Sequence, residues 1–463
     1  MGNTFAKRLS ITLVVILLAL TITLGAVGFV AKKEPKRAIV IVTAFLSGGL
    51  YLNNEDGTQT QLWDPALNYE DFPVQEVMDP VNGLVLSEDL ISKVISGVGG
   101  FPNLLNILLD EEASIFNNLK VDIVTGKSIK DISPANPDSP NRLKYGAINC
   151  YRQTYDEMVA EYGDIAEVVV FNYDWRLDNE DNAKLLEEFI NEREYDEIVL
   201  TSHSMGGNVV SLYLQKEENR DKVVLYAPYA PATLGAVDAL VYLEDPARLL
   251  AGMDLGALGG IGSLLDIEGI VRDVATPFLR CLVSMYQLLP SPYLMTSGQY
   301  SNTGDDFMIT VDGNPITTAE ELISFYKSRP YAKVDGEWIY PLQVEENGKT
   351  RLENYWENSR VMVDGVSTHT TNLVNTTYFI GVGQNGAEGA NFITNENGEV
   401  VLDTVRYTTN GDNMVLEYSA TCGNDPYADN VVRISNGHLN VGVNFNVLLK
   451  ERTFEEINKV WRD

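Results

Sequence analysis

Short apolar runs alternate along this chain with amphipathic stretches, and that rhythm predicts a parallel sheet whose strands are joined by crossover helices. Ala38 to Ala44 is an unbroken apolar run of strand length, the pattern of a strand buried on both faces. Tyr151, Tyr155, Met158, Val159 and Tyr162 then share one helical face, and Glu167 to Asn172 reads as a second buried strand. Leu185, Leu186, Phe189 and Ile190 mark another helix, after which Glu197 to Thr201 is strand again and ends abruptly. Met205, Val209, Leu212 and Tyr213 return to helical spacing, and further strands are expected at Val223 to Tyr226 and Thr377 to Val382. Helices and buried strands taking turns in this way define an α/β chain with a doubly wound, mostly parallel sheet.

Two stretches break the rhythm and read as insertions into one catalytic-sized domain over residues 38–463. Residues 63–143 mix Gly, Pro and Asn with apolar patches such as Phe101 to Leu109, and residues 237–327 hold a Gly- and Leu-rich region that includes Leu255 to Leu265. A mobile apolar cap over a lipid site would have that composition, and so would a packed helical subdomain. Residues 1–37 form a segment of their own. From Leu9 to Ala31 no charge occurs, and a helix rising about 1.5 Å per residue over that length spans the roughly 30 Å hydrocarbon layer. The run is long for the apolar region of a signal peptide. An uncleaved N-terminal transmembrane anchor is therefore expected, with the C-terminal portion outside the cytoplasm; cleavage at Ala26-Val27-Gly28 would instead make the protein secreted.

Charge narrows the partners. The 463 residues carry 34 Lys plus Arg against 65 Asp plus Glu, a net charge of −31. Nucleic acid and strongly anionic lipid surfaces are poor electrostatic partners for such a chain. Its three cysteines, Cys150, Cys281 and Cys422, are far apart, which excludes a disulfide framework and a close-spaced zinc site.

The strand ending at Thr201 leads into Ser202-His203-Ser204-Met205-Gly206-Gly207 and then into the helix. A serine squeezed into a sharp strand-to-helix turn exposes its hydroxyl, and small residues two positions to either side relieve the crowded backbone. This joint is where α/β-hydrolases place their nucleophile. A serine hydroxyl needs an imidazole to take its proton and a carboxylate to orient that imidazole, and the chain offers three histidines. His203 diverges from the serine in a strand-turn-helix geometry, and His369 precedes the best acid. His438, in Asn436-Gly437-His438-Leu439-Asn440, is the expected base. The acid candidate is Asp412, where Gly411 would permit a tight turn.

In order along the chain, Tyr173-Asp174-Trp175-Arg176-Leu177, the serine elbow, Gly411-Asp412 and His438-Leu439-Asn440 resemble the lecithin:cholesterol acyltransferase and lysosomal phospholipase family. Ala227-Pro228-Tyr229 and Ser301-Asn302-Thr303-Gly304-Asp305 are similar to further family segments. The resemblance implies an α/β-hydrolase fold with helical cap insertions, a Ser204, Asp412 and His438 triad, and an oxyanion hole from the backbone N–H groups of Met205 and Phe45. Trp175 reads either as an aromatic wall of the acyl site or as a core tryptophan at a strand end, and Asp174 and Arg176 read as an ion pair that holds the loop and takes no part in chemistry. The chain departs from the family in carrying Thr43-Ala44 where relatives have Pro-Gly. The position near Tyr378 that would pair with Cys422 holds no cysteine.

The expected activity is that of a membrane-anchored serine acyl hydrolase or O-acyltransferase. Its substrate would be a lipid ester of phospholipid type, with water or a lipid alcohol as acceptor and neither metal nor diffusible cofactor required. A cell-surface esterase on non-lipid esters and a non-catalytic extracytoplasmic binding protein on the same fold are the rival readings.

Overall fold

The computed structural model describes residues 34–63, 78–79, 83–84, 115–134, 150–246, 276–304 and 306–462. The Leu9 to Ala31 run, the Phe101 to Leu109 patch and the Leu255 to Leu265 region lie outside them. Among the described residues no helix is long and apolar enough to cross a membrane.

Strands β1 (Arg37–Val42), β2 (Glu167–Phe171), β3 (Glu197–His203), β4 (Val223–Tyr229) and β5 (Tyr378–Gly381) stand where apolar runs predict them. A hairpin of β6 (Gly386–Thr394) and β7 (Val400–Thr408) follows, and then β8 (Val431–Ile434). The main sheet has six strands in the order β8-β5-β4-β3-β1-β2, and every pairing in it is parallel. Helix α1 (Arg152–Tyr162) precedes β2, α2 (Asn179–Glu192) joins β2 to β3, and α3 (Gly206–Tyr213) follows β3. Helix α4 (Val237–Glu244) leaves the end of β4, and α5 (His438–Val443) and α6 (Val447–Trp461) close the chain after β8.

The period of two in β1 sorts the interior into two cores. Ala38, Val40 and Val42 face one cluster with Leu186, Phe189 and Ile190 of α2 and Val209 and Val210 of α3. Ile39 and Ile41 face the other, with Met158 and Tyr162 of α1 and Leu449, Ile457 and Trp461 of α6. A strand covered on both sides needs apolar residues at every position, which is why β1 reads as an unbroken run. Each such side chain contributes about 1.5–3 kcal/mol relative to leaving it in water. The stretch read as a second insertion supplies α4 and two short strands, Ile309–Val311 and Asn314–Pro315, that join β6 and β7 in a four-stranded sheet of their own. The described residues from Arg37 onward form one compact unit.

Candidate active site

In-register parallel pairing brings the ends of β1 and β3 level, with Val42 opposite Ser202. The chain then turns sharply into α3, and Ser204 takes up the left-handed region at φ 52°, a conformation that costs a non-glycine residue about 1–3 kcal/mol. Three backbone hydrogen bonds hold it there. Ser204 N–H donates to Tyr229 O at 3.1 Å, and Ser204 O accepts from Gly207 N–H at 2.9 Å and Ala232 N–H at 3.2 Å. Gly206 is required by contact: a Cβ there would stand 2.5 Å from Thr43 O and 2.7 Å from Val42 O. Ser202 is accommodated by a 2.8 Å hydrogen bond between its Oγ and the Tyr226 hydroxyl.

His438 arrives from β8. It opens α5 rather than lying in a loop, and its N–H is fixed by Asp412 O at 2.8 Å. Its Nε2 lies 2.8 Å from Ser204 Oγ and its Nδ1 lies 2.8 Å from Asp412 Oδ2. The other oxygen of Asp412 accepts from Met414 N–H at 3.1 Å and Val415 N–H at 2.7 Å. Serine, imidazole and carboxylate thus form one hydrogen-bonded line, 9 %, 3 % and 1 % exposed respectively. The turn that carries Asp412 differs from expectation in detail. The positive φ belongs to Asn413 at 75°, and Gly411 is needed because a Cβ there would meet Val415 O at 2.6 Å.

His203 does diverge from the serine, and it has a task that sequence reading did not find. Its Nε2 lies 3.2 Å from His438 O, and a carbonyl can only accept, so Nε2 carries the proton. Nδ1 is then the acceptor, and Tyr151 donates its hydroxyl proton to it across 2.9 Å. The Tyr151 oxygen in turn accepts from Ala44 N–H at 3.1 Å. A directed chain of hydrogen bonds therefore runs from the loop after β1 to the backbone of His438. Burial, helped by the neighbouring His438, pulls the proton affinity of His203 down to about 3, keeping the ring neutral in this tautomer.

That loop after β1 holds Phe45. Ser47 Oγ takes the Ala44 N–H at 2.7 Å and Leu46 sits at φ 62°, which turns the chain tightly. Among the described residues, neither Phe45 N–H nor Met205 N–H donates to an acceptor. The Tyr173 to Leu177 segment braces the loop from behind: Tyr173 donates its hydroxyl to Thr43 O at 2.8 Å and Trp175 Nε1 donates to Gly48 O at 3.0 Å. In this structure Trp175 is a brace, not an open wall of an acyl site. Its indole is fully buried, edge-on to Phe45 at 5.3 Å and Trp63 at 5.7 Å, which is the core-tryptophan alternative. Asp174 and Arg176 form a buried two-point ion pair at 2.6 and 2.9 Å, and Arg176 also donates to Leu119 O at 2.8 Å. Cys422 is a buried free thiol that lies against Thr371 Oγ1 at 3.2 Å, and the same hydroxyl bonds the Tyr378 hydroxyl at 2.9 Å.

His369 lies apart from this line, capping the turn Thr370–Leu373 with its Nδ1 2.8 Å from Thr371 Oγ1 and its Nε2 buried without a partner. Burial first, and the charge of Arg360 second, lower its proton affinity from 6.5 to about 3. Unfolded chains take up a proton on this imidazole below about 6.5 while the native state refuses it until about 3, so its contribution to stability is lost as pH falls through that window. Urea melts of wild type and His369→Gln should diverge accordingly. The stability of wild type relative to the variant is expected to drop by about 1.4 kcal/mol per pH unit on acidification below 6.5.

The fold and site together define a mixed α/β protein with a parallel sheet, bearing a serine, imidazole and carboxylate in a hydrogen-bonded line at the C-terminal ends of its strands. Comparison with known proteins agrees with the sequence motifs: residues 140–244 match the family model of lecithin:cholesterol acyltransferase, so the resemblance to that family holds over this segment. The match takes in the Tyr173 to Leu177 segment and the Ser204 elbow; Asp412 and His438 come later in the chain. No curated protein matches the chain. Among solved structures, a chain of the Tle4–Tli4 complex is 12% identical, covering 92% of this chain and 98% of that one with a TM-score of 0.45. The phospholipase PlaB from Legionella pneumophila is 12% identical, covering 56% of this chain and 45% of that one with a TM-score of 0.20.

Proposed function

We propose that this protein is a serine acyl hydrolase or O-acyltransferase of lipid esters, built on an α/β-hydrolase fold and held at a membrane by residues 9–31. The observation that carries the reading is the line Asp412, His438, Ser204, closed by two 2.8 Å hydrogen bonds onto a serine in a strained turn. Ser204 Oγ attacks the ester carbonyl as His438 Nε2 takes its proton, and Asp412 accepts the Nδ1–H of the imidazolium so formed. The tetrahedral oxyanion rests against the N–H groups of Phe45 and Met205, the second of which heads helix α3. Donors of this kind are worth about 3–4 kcal/mol when one is removed. Collapse breaks the ester bond, and His438 hands its proton to the departing alcohol. Water or a lipid alcohol then gives a proton to His438 Nε2 as it attacks the acyl-enzyme carbonyl, the bond from that carbon to Ser204 Oγ breaks, and His438 returns the proton to Oγ.

The family match and the apolar N-terminal run together favour a lipid substrate, since tethering keeps an enzyme close to an insoluble ester. The full-length protein on vesicles of phospholipid mixed with a lipid alcohol tests this. Release of free fatty acid identifies a hydrolase and acylated alcohol a transferase. Absence of both products, with cleavage of soluble esters retained, would overturn the lipid reading in favour of a non-lipid esterase.

A further inference from the structure

His203 and Tyr151 take no part in the steps above, yet both are buried against elements on which those steps depend. His203 ends β3, next in sequence to Ser204, and Tyr151 stands just before α1. Burying an imidazole and a phenol hydroxyl costs free energy unless their polar atoms are paired. Here all three are paired: Tyr151 joins Ala44 N–H at 3.1 Å to His203 Nδ1 at 2.9 Å, and His203 Nε2 reaches His438 O at 3.2 Å. Both ends of this link are backbone atoms. An apolar residue at either position could fill the space without carrying the link.

At one end the link meets the loop that carries Phe45. Ala44 N–H is shared between the Tyr151 hydroxyl and Ser47 Oγ, and Ser47 Oγ donates back to Ala44 O at 2.7 Å. Ala44 O and Phe45 N–H belong to one planar peptide unit, so fixing that oxygen aims the Phe45 N–H. At the other end the link meets α5, which His438 opens. The His203 and His438 rings lie 5.1 Å apart between centroids. Gly442, on the next turn of α5, leaves room for His203: a Cβ there would stand 2.0 Å from its Cδ2. His203 thus holds α5 by a hydrogen bond to its first carbonyl and by close contact at Gly442.

We propose that His203 and Tyr151 are positioning residues that set the oxyanion donor of the β1 loop and the general base of α5 relative to each other. The proposal rests on the reading of Ser204 as nucleophile, His438 as base and Phe45 N–H as oxyanion donor. Donor and base serve the same tetrahedral centre from separate elements, and a misplacement of about 1 Å between such groups can cost on the order of a hundredfold in rate. The link from Ala44 to His438 ties those two elements together past the end of the strand that delivers Ser204. Neither residue touches a reacting atom; each acts through the backbone it holds.

Tyr151→Phe removes one oxygen and leaves Ala44 N–H its bond to Ser47 Oγ at 2.7 Å, so it disturbs packing least. In the full-length variant, fluorophosphonate labelling of Ser204 per folded molecule and kcat on a soluble ester are each expected to fall about tenfold, with KM unchanged. Gly442→Ala, which presses on His203 from α5, should slow labelling similarly. Combining the two should cost little more than the slower single variant, because both break one link. His203→Gln, whose amide offers both a donor and an acceptor, should keep more labelling than His203→Leu. A role in folding alone would lower the urea midpoint and leave labelling per folded molecule at the wild-type rate. That result overturns the proposal, as does a double variant in which the two single losses multiply. Should Tyr151→Phe fail to fold, the His203 ring of wild type is read by proton–nitrogen NMR: a neutral ring protonated on Nε2 supports the link, and one protonated on Nδ1 sinks it. The ring signal needs no turnover. A wild type that shows the expected ring and resists the probe counts against the proposed function, whereas one labelled no faster than folded Tyr151→Phe counts against this proposal alone.

Discussion

Ser204→Ala is expected to abolish fluorophosphonate labelling and to lower ester turnover on the order of a millionfold, and His438→Ala to lower turnover comparably. The two losses should be alike because the groups act as a unit: the hydroxyl is 2.8 Å from Nε2 and is a poor nucleophile unless that nitrogen takes its proton. Removing either leaves only what substrate binding and the Phe45 and Met205 N–H groups supply, about 10³–10⁴-fold over water. His369→Ala is the control, since its Nδ1 is spent on Thr371. Labelling rates and steady-state turnover of a soluble ester measure all three. Retained labelling in His438→Ala together with its loss in His369→Ala would remove the proposed base and with it the mechanism.

The fold was legible wherever burial is two-sided. The runs at Ala38, Glu167, Glu197 and Val223 are apolar at most of their inner positions because helices cover both faces of the sheet, and they form β1 to β4. Strand β8 was not read, because Val431-Val432-Arg433-Ile434 lies at the sheet edge and its arginine turns out to pair with Glu417 at 2.6 Å. The β6 and β7 hairpin was missed for a related reason: β7 has no buried position, so nothing constrains its sequence to alternate. At the site, Ser204, Asp412 and His438 could be named from motif order and are brought together by the structure. The Tyr151 and His203 link and the bracing by Tyr173 and Trp175 could not. Each joins residues far apart in the chain through a single hydrogen bond, and no local pattern records such a contact.

Gly206→Ala should damage stability and labelling together. The added methyl would meet the carbonyl oxygens of Thr43 at 2.5 Å and Val42 at 2.7 Å, well inside contact distance. Both are backbone atoms at the end of β1, which is paired on each side and cannot give way as a side chain tip would. Relief has to come from moving the start of α3 away from β1. Overpacking of this kind costs about 1–3 kcal/mol, to be measured as a fall in the urea midpoint. The same displacement separates Met205 N–H from the loop that carries Phe45, so labelling of Ser204 should slow by roughly tenfold or more even in the fraction that remains folded, as the geometry of the two donors is worth several kcal/mol. Gly207→Ala offers the contrast. Its methyl meets Pro231 Cβ at 2.6 Å, in a loop instead of a central strand, so instability without a matching loss of labelling per folded molecule is expected there. Equal loss of labelling in both variants would mean that the β1 loop and the head of α3 do not act as a pair.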